Sequence, residues 1–204
     1  MLRQRIYSGI YPPGELLRQV QLSQDLNVSR TPLREALRIL QSEGLVQAEG
    51  ARGVSVSRAD QARLMNAYAL REMLDGLAAR QAAERNAAVA EARLAPVIAQ
   101  QRLALAPWSP GDYMRLNMDF HTAVVELAEN EFLTAQLALI RMTATVFAPA
   151  FLICPERARP AVASHQAVAI AIAAADGDAA ERLARQHIRA TVQCLLAFEA
   201  AKLA

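Results

Sequence analysis

The spacing of apolar residues over the first 58 positions predicts two short helices, a tight turn and a longer third helix. The third helix begins at Ser29 and ends at Ser42-Glu43-Gly44, because glycine is the residue expected just past a helix. Apolar side chains recur along it at three- and four-residue steps as far as Leu40. Ser29 and Thr31 favour its start, because their hydroxyls can cap free backbone N–H groups. Asn27 falls at the turn before it, and asparagine tolerates the left-handed conformation. Two helices joined in this way predict a helix-turn-helix.

The apolar residues of these three helices are expected to point into one small core. They comprise Leu2, Ile6 and Ile10 of the first helix, Val20, Leu22 and Leu26 of the second, and Val28, Leu33, Ala36, Leu37 and Leu40 at the turn and in the third helix.

A two-residue alternation replaces the helical pattern after Gly44. Residues 45–49 and 54–57 are β-prone runs around a glycine-rich turn, which predicts a hairpin. A hairpin directly after such a helix is the wing of a winged helix. Arg52 at its tip can reach a phosphate or a minor groove, and Gly53 lets the backbone approach nucleic acid closely.

Arginines form a second stripe on the third helix, because Arg30, Arg34 and Arg38 recur at four-residue steps. Taken alone, such a stripe is more typical of a solvated surface. Its position at a helix start and beside a predicted wing favours a recognition helix for the DNA major groove. Residues 1–58 hold eight arginines and five acids, a net charge of +3, and the remaining 146 residues carry −1. This distribution supports a nucleic-acid-binding head on a different kind of body.

The pattern after residue 58 is helical throughout, with breaks that separate six helices. Their predicted bounds are roughly 62–85, 88–105, 111–128, 131–152, 158–175 and 178–202. Such lengths suit an antiparallel bundle. We therefore predict a mainly α protein with a winged helix-turn-helix domain at 1–58 and an all-α effector-binding and dimerisation domain at 59–204. The inward side of the first body helix is expected to carry Leu64, Met65, Tyr68, Ala69, Met73, Leu74 and Leu77.

Composition excludes several classes of protein. Charges interrupt every apolar run before about 18 residues, so the sequence predicts no membrane span. The first residues lack the apolar core of a signal peptide. Cys154 and Cys194 have no metal-type spacing, which favours free thiols in a cytoplasmic protein.

The chain contains only three histidines, and their positions suggest one site. Asn117 and His121 lie one helical turn apart. His165 and His187 each lie eleven residues from Asp176, so folding the last two helices at that turn brings both imidazoles to the same height. Three histidines and an amide oxygen can bind a divalent metal. Histidines on helices are more often ordinary core or surface residues, and the spacing alone leaves both interpretations open.

The head resembles the winged helix of the GntR family of bacterial transcription regulators. The resemblance rests on Pro13-Gly14, the run VSRTPLREAL at 28–37, EGLV at 43–46 and RGV at 52–54. It implies that Ser29, Arg30, Thr31 and Arg34 face DNA. Arg30 and Arg34 are then the expected base readers, because a guanidinium pairs two-pronged with guanine. Ser29, Thr31 and Arg52 are expected phosphate contacts, although these roles could be exchanged.

The body contains LRE at 70–72 with LAA at 77–79, NMDFH at 117–121, SHQA at 164–167, GD at 177–178 and QH at 186–187. On these segments, residues 62–200 resemble the helical ligand-binding domain, called FCD, of the FadR-type branch of that family. The resemblance implies that Asn117, His121, His165 and His187 bind a divalent metal, expected to be zinc or nickel. A small carboxylate effector would complete its coordination. Many members have aspartate at the position of Asn117, so a neutral amide implies weaker binding.

Two arginines match family positions that often face the effector pocket. Arg71 and Arg141 would hold the effector carboxylate through their guanidinium groups. A surface salt bridge remains an equal alternative for each of them.

Together these features predict a homodimeric regulator, expected to be a repressor, that binds a palindromic DNA operator and responds to a small organic acid. Two alternatives stay open. One is a metal-dependent helical-bundle enzyme, although the sequence has no acid beside a histidine in a motif such as His-Glu-x-x-His that would supply a general base. The other is a regulator without metal that binds an apolar or acyl ligand.

Overall fold

The computed structural model describes residues 1–58, 60–146 and 153–203, without the side chains of residues 51 and 198–203. The chain divides into two compact units. One comprises Met1–Leu64 with Arg141–Phe147, and the other comprises Met65–Ile140 with Ala148–Ala204. A segment that the sequence pattern placed in the body therefore groups with the head. Part of the predicted helix at 131–152 lies outside the described residues.

The head has the predicted order of helices followed by a wing. Its elements are α1 (Leu2–Tyr7), β1 (Leu16–Leu17), α2 (Gln19–Asp25), α3 (Arg30–Ser42), β2 (Val46–Ala48), a 3-10 turn (Gly50–Arg52) and β3 (Val54–Val56). Asn27 has φ +49° between α2 and α3, and Gly44 has φ +75° after α3. Both residues therefore end their helices in the left-handed conformation that the sequence predicted.

The wing is a sheet of three strands in the order β1-β3-β2, all antiparallel. Strand β1 was not predicted, because two residues are too few to show an alternation. Leu16 and Gln47 both pair with Ser55, so these three residues share one face of the sheet. The opposite face packs Leu17 and Val56 into the core of the head.

Three apolar residues of the head lie outside that core, contrary to prediction. Ile10 is exposed because α1 already ends at Tyr7. Val20 is exposed because the inner side of α2 is formed by Leu22 and Leu26. The side chain of Val28 is exposed as well, so it does not join that core. The remaining core prediction holds for Leu33, Leu37 and Leu40, which are all buried.

The body is helical, as predicted. Its elements are α4 (Gln61–Leu103), α5 (Pro110–Leu127), α6 (Glu131–Ala135), α7 (Leu137–Arg141), a π-helical segment (Met142–Val146), α8 (Pro155–Ala173) and α9 (Gly177–Leu203). Helices α8 and α9 pack on each other. None of these described helices is long and apolar enough to cross a membrane.

The predicted break near Asn86 is a kink inside one long helix. Asn86 has φ −134° and ψ 27°, which is not helical. Its side-chain amide donates to the carbonyl of Leu127 at 2.8 Å, and Arg85 donates to the carbonyl of Ala128 at 2.7 Å. These two side chains satisfy carbonyls that the end of α5 leaves without helical partners.

Ion pairs hold α4 against α9. Glu72 accepts hydrogen bonds from Arg185 at 3.0 Å and from Arg189 at 2.8 Å. Gly76 allows the close approach of these helices, because a Cβ there would lie 2.7 Å from Cγ of Arg185. One turn further on, Arg80 pairs with Glu181 at 2.6 Å.

The inward face of α4 agrees with the predicted one at Leu64 and Tyr68 and differs from it at other positions. Met73, Leu77 and Ala69 are exposed, and the buried positions include Tyr68, Arg71 and Asp75. The prediction assumed that apolar side chains mark the inside of a helix. Here two charged residues lie inside because they are paired with each other, which is the condition under which burying charge is tolerated.

Candidate metal centre and nucleic-acid interface

The three histidines come together in the interior of the helical domain. His121 on α5, His165 on α8 and His187 on α9 are only 4%, 0% and 9% exposed. One ring nitrogen from each lies within 4.8 Å of the others. Phe120 stacks on the His165 ring with a centroid distance of 4.1 Å and helps to fix its plane.

Asp75 fixes the orientation of His121. Its Oδ1 lies 2.6 Å from Nδ1 of His121, and its Oδ2 accepts from Nε of Arg71 at 3.3 Å. An ionised carboxylate only accepts hydrogen bonds, so Nδ1 of His121 carries the proton. Nε2 of His121 is then an unprotonated nitrogen, and it is buried without a hydrogen-bond partner among the described residues. A buried lone pair in this state is available to a metal ion.

Gln101 fixes the orientation of His165 in the same way. The Nε2 amide group of Gln101 donates to the carbonyl of Leu116 at 3.0 Å, so its Oε1 faces the imidazole as an acceptor. Nδ1 of His165 lies 3.0 Å from that oxygen and must donate to it. The unprotonated Nε2 of His165 then lies 3.3 Å from Nε2 of His187. A residue that holds the far ring nitrogen in this way is the usual outer partner of a metal-ligating histidine.

Burial keeps the cluster uncharged. It lowers the pKa of His121, lowers that of His165 further, and lowers that of His187 to about 3. Burial would raise the pKa of Asp75, but the positive charge of Arg71 and the contacts with His121 outweigh it and lower the value to about 2. Near neutral pH the centre therefore consists of three neutral imidazoles with an ionised carboxylate behind one of them.

These residues fit a divalent transition metal. Neutral imidazole nitrogen is a preferred ligand of zinc and nickel. The lone pair on Nε2 of His121 accepts no hydrogen bond among the described residues, so it is free to bind a metal. Three protein ligands also leave positions open for a small molecule.

The other predicted residues of this site are placed less directly. Asn117 is half-buried one turn before His121 on α5, and its role as a fourth ligand stays a prediction. Asp119 is exposed and ion-paired with Arg115 at 3.1 Å. Arg71 is buried beside Asp75, and its charge lowers the pKa of all three histidines.

Arg141 groups with the head unit and not with the histidines. It lies close enough to Tyr7 for its charge to lower the pKa of that phenol, although burial raises the value overall. Its assignment to the effector pocket stays a prediction from the family resemblance.

Sequence reasoning did not single out Asp75 and Gln101. Asp75 lies one turn after Arg71 on α4, a spacing that could have suggested an ion pair. Gln101 follows 26 positions later on the same helix, and no pattern connects it with a histidine 64 residues away.

The start of α3 carries the predicted DNA-facing residues. Arg30, Thr31 and Arg34 are exposed on its first turns. Ser29 occupies the N-cap position with extended backbone, but in the described structure its side chain makes no capping hydrogen bond. The predicted capping role is therefore wrong for this conformation, and the hydroxyl is exposed beside the helix start. Arg38 is paired with Glu35 at 2.9 Å, which suits a supporting charge better than a base reader.

The tip of the wing combines glycine turns with one arginine. Gly50 and Gly53 have φ +59° and +104°, conformations that suit glycine. Arg52 lies between them, and its Nη2 contacts Oε2 of Glu49 at 3.1 Å.

Two family models match successive parts of the chain. Residues 1–56 match the family described as bacterial regulatory proteins, gntR family, and residues 66–190 match the FCD domain. The chain is 29% identical over 191 residues to the HTH-type transcriptional repressor RspR of Escherichia coli, which covers 93% of this chain and 83% of that protein. It is 31% identical over 189 residues to a probable D-xylose utilization operon transcriptional repressor of Paenarthrobacter nicotinovorans, covering 91% and 81%.

A solved structure shares the fold as well. E. coli McbR/YncC superposes with a TM-score of 0.82 at 20% identity, covering 97% of this chain and 94% of that one. The winged helix and the helical domain thus define a DNA-binding transcriptional regulator and not an enzyme. The chain belongs to the GntR family and carries an FCD domain.

Proposed function

We propose that this protein is a homodimeric repressor, acting in the cytoplasm, whose affinity for a palindromic operator changes when a small carboxylate effector binds at a metal centre in its helical domain. The observation that carries this proposal is the buried cluster of three neutral histidines with an unpartnered Nε2 on His121. The two relatives described above are named as repressors or probable repressors.

Operator recognition is assigned to the start of α3. Arg30 and Arg34 would read guanine edges in the major groove, because both side chains are exposed at the helix start. Ser29, Thr31 and Arg52 would hold phosphates, and the open backbone at Gly53 would let the wing approach the duplex. These phosphate contacts fix the register of the protein on DNA.

The metal would be held by His121, His165 and His187, with Asn117 as the proposed fourth ligand. When bound, zinc or nickel supplies a Lewis-acid position that an oxygen of the effector carboxylate can occupy. Asp75 and Gln101 keep the hydrogens of His121 and His165 on Nδ1, so both Nε2 atoms are ready to donate their lone pairs.

Arg71 is the residue proposed to hold the effector carboxylate. It is buried, it is anchored by Asp75 through Nε, and its charge acts on all three imidazoles. A guanidinium next to a metal centre favours a ligand with a negative charge. Arg141 is retained as a second candidate on the resemblance alone.

Dimerisation is supported by an apolar stripe on the surface of α4. Leu70, Met73 and Leu77 recur at three- and four-residue steps, and all three are exposed in the isolated chain. A second copy could bury this stripe. Two recognition helices would then meet half-sites at a fixed spacing, and an effector could change operator affinity by altering that arrangement.

Metal analysis and zinc titration of the purified protein test the proposal, with His121→Ala and His165→Ala as controls. We expect about one metal ion per chain in the wild type and less in both variants. Small carboxylic acids should then change binding to operator DNA only in the metal-loaded protein. Equal metal content in all three proteins would contradict the metal centre. It would favour a regulator without metal.

A further inference from the structure

The wing contains an acidic residue that the proposed DNA contacts do not explain. Glu49 follows β2, directly before the turn that carries Arg52. Its side chain is 24% exposed, whereas that of Arg52 is 77% exposed. A carboxylate beside DNA phosphates costs affinity, so its position calls for a physical reason.

Neutral donors hold the carboxylate of Glu49 in place. Its Oε1 accepts from Oγ of Ser55 at 2.7 Å and from Nε2 of Gln47 at 3.1 Å. Ser55 is on the central strand and only 2% exposed, so it is a rigid anchor. The hydrogen bonds from Ser55 and Gln47 lower the pKa of Glu49, which therefore remains ionised near neutral pH.

The second carboxylate oxygen of Glu49 forms an ion pair with Arg52. Oε2 of Glu49 lies 3.1 Å from Nη2 of Arg52. Both residues border a cavity of about 310 Å³ on the outer face of the sheet, together with Arg58. Since Glu49 is held by Ser55 and Gln47, the exposed Arg52 is drawn towards the sheet, and its charge is balanced at the wing tip.

We propose, on the basis of the phosphate contact proposed above for Arg52, that Glu49 is a positioning residue that restrains Arg52 and so limits the contribution of the wing to non-specific DNA binding. A phosphate must replace Glu49 as the partner of Arg52 before the wing gains an ionic contact. At random sequence, where the wing is not held in register, Arg52 stays paired with Glu49. An ion pair with one exposed partner is weak, so the effect is several-fold and not larger.

The test measures binding of full-length protein to a labelled random-sequence duplex of about 30 base pairs across roughly 50–200 mM salt. Glu49→Gln keeps an oxygen for Ser55 and Gln47 but removes the charge that holds Arg52. We expect it to tighten binding about five-fold and to steepen the salt dependence by about one released counterion. Glu43→Gln is the matched control, because it removes one acidic charge from the same domain, where Glu43 pairs with Arg3. It should change affinity less than twofold.

A double-mutant cycle identifies Arg52 as the residue through which Glu49 acts. Arg52→Gln alone should weaken random-duplex binding less than about twofold, because Arg52 is already paired in the wild type. In the Glu49→Gln background the same change should weaken it about fivefold. Three results would overturn the proposal: no tightening by Glu49→Gln, equal tightening when Arg52 is absent, or a large loss from Arg52→Gln alone. The Arg52→Gln arm leaves Glu49 unaltered and so does not depend on how that variant folds.

Discussion

The DNA-facing surface and the histidine centre are built in opposite ways. Arg30, Thr31 and Arg34 lie within five consecutive positions at the start of one helix, and all are exposed. His121, His165 and His187 come from three helices, and all are buried. Exposed residues that bind DNA need only a helix start and a positive charge. In a buried histidine cluster, by contrast, every polar atom needs a hydrogen-bond or metal partner. The first is local chemistry, and the second depends on the whole helical domain.

Removal of a ligand should have the largest effect. In His165→Ala the cluster loses one of its three imidazoles, so we expect zinc affinity to fall on the order of 1,000-fold, more than the loss of an outer partner produces. Isothermal titration of metal-free protein measures this. Random-duplex binding without metal should stay unchanged, because the exposed surface does not use the centre. If His165→Ala also weakened random-duplex binding, the DNA-facing surface would depend on the histidine cluster after all.

Acid should destabilise the protein through its three buried histidines. Burial lowers the pKa of each histidine in the folded chain below its usual value near 6.5. Below that pH the unfolded chain takes up protons that the folded chain does not, so the free energy of unfolding falls. The loss is at most about 1.4 kcal/mol per pH unit for each imidazole.

Urea unfolding of the metal-free protein at about pH 7 and about pH 5 measures that loss. The window lies between the usual histidine pKa and the value of about 3 for His187. His187→Asn should show a shallower pH dependence than the wild type. Identical slopes would mean that His187 does not stay neutral in the folded protein.

Asp75 allows a test of how the centre depends on its surroundings. Asp75→Asn keeps an oxygen near Nδ1 of His121 but removes the charge that faces Arg71. Loss of such an outer partner should weaken zinc binding about 10- to 100-fold. The ¹⁵N chemical shifts of the His121 ring should also show a mixture of tautomers. Unchanged shifts with normal zinc affinity would limit Asp75 to a structural pairing with Arg71.

The two arginines of α3 that differ in role provide the smallest contrast. Arg34→Ala should cost roughly 1–3 kcal/mol at the operator and relax preference at one base pair. Arg38→Ala should cost no more than about 0.5 kcal/mol, because Arg38 is exposed and paired with Glu35. Binding to a panel of operator variants distinguishes them. Equal losses of operator affinity in both variants would contradict the assignment of Arg34 to base recognition and of Arg38 to a supporting charge.

The sequence predicted the helix start, the wing and the order of helices well, because each depends on neighbouring residues. The conformations of Asn27 and Gly44 and the bounds of α3 follow directly from helix-end chemistry. The predictions for Ile10, Val20 and Met73 were wrong for one reason. Each assumed that an apolar side chain points inwards, and burial is decided by what the rest of the chain places against it.

The sequence by itself determined that a basic helix start precedes a glycine-rich wing, and that His165 and His187 lie at the same height on two successive helices. Only the tertiary structure decided that Asp75 and Gln101 hold two of those histidines in one tautomer, and that Glu49 holds Arg52. The reason is physical. Helix and turn signals act over a few residues, whereas satisfying a buried polar atom requires a partner that any distant part of the chain can provide.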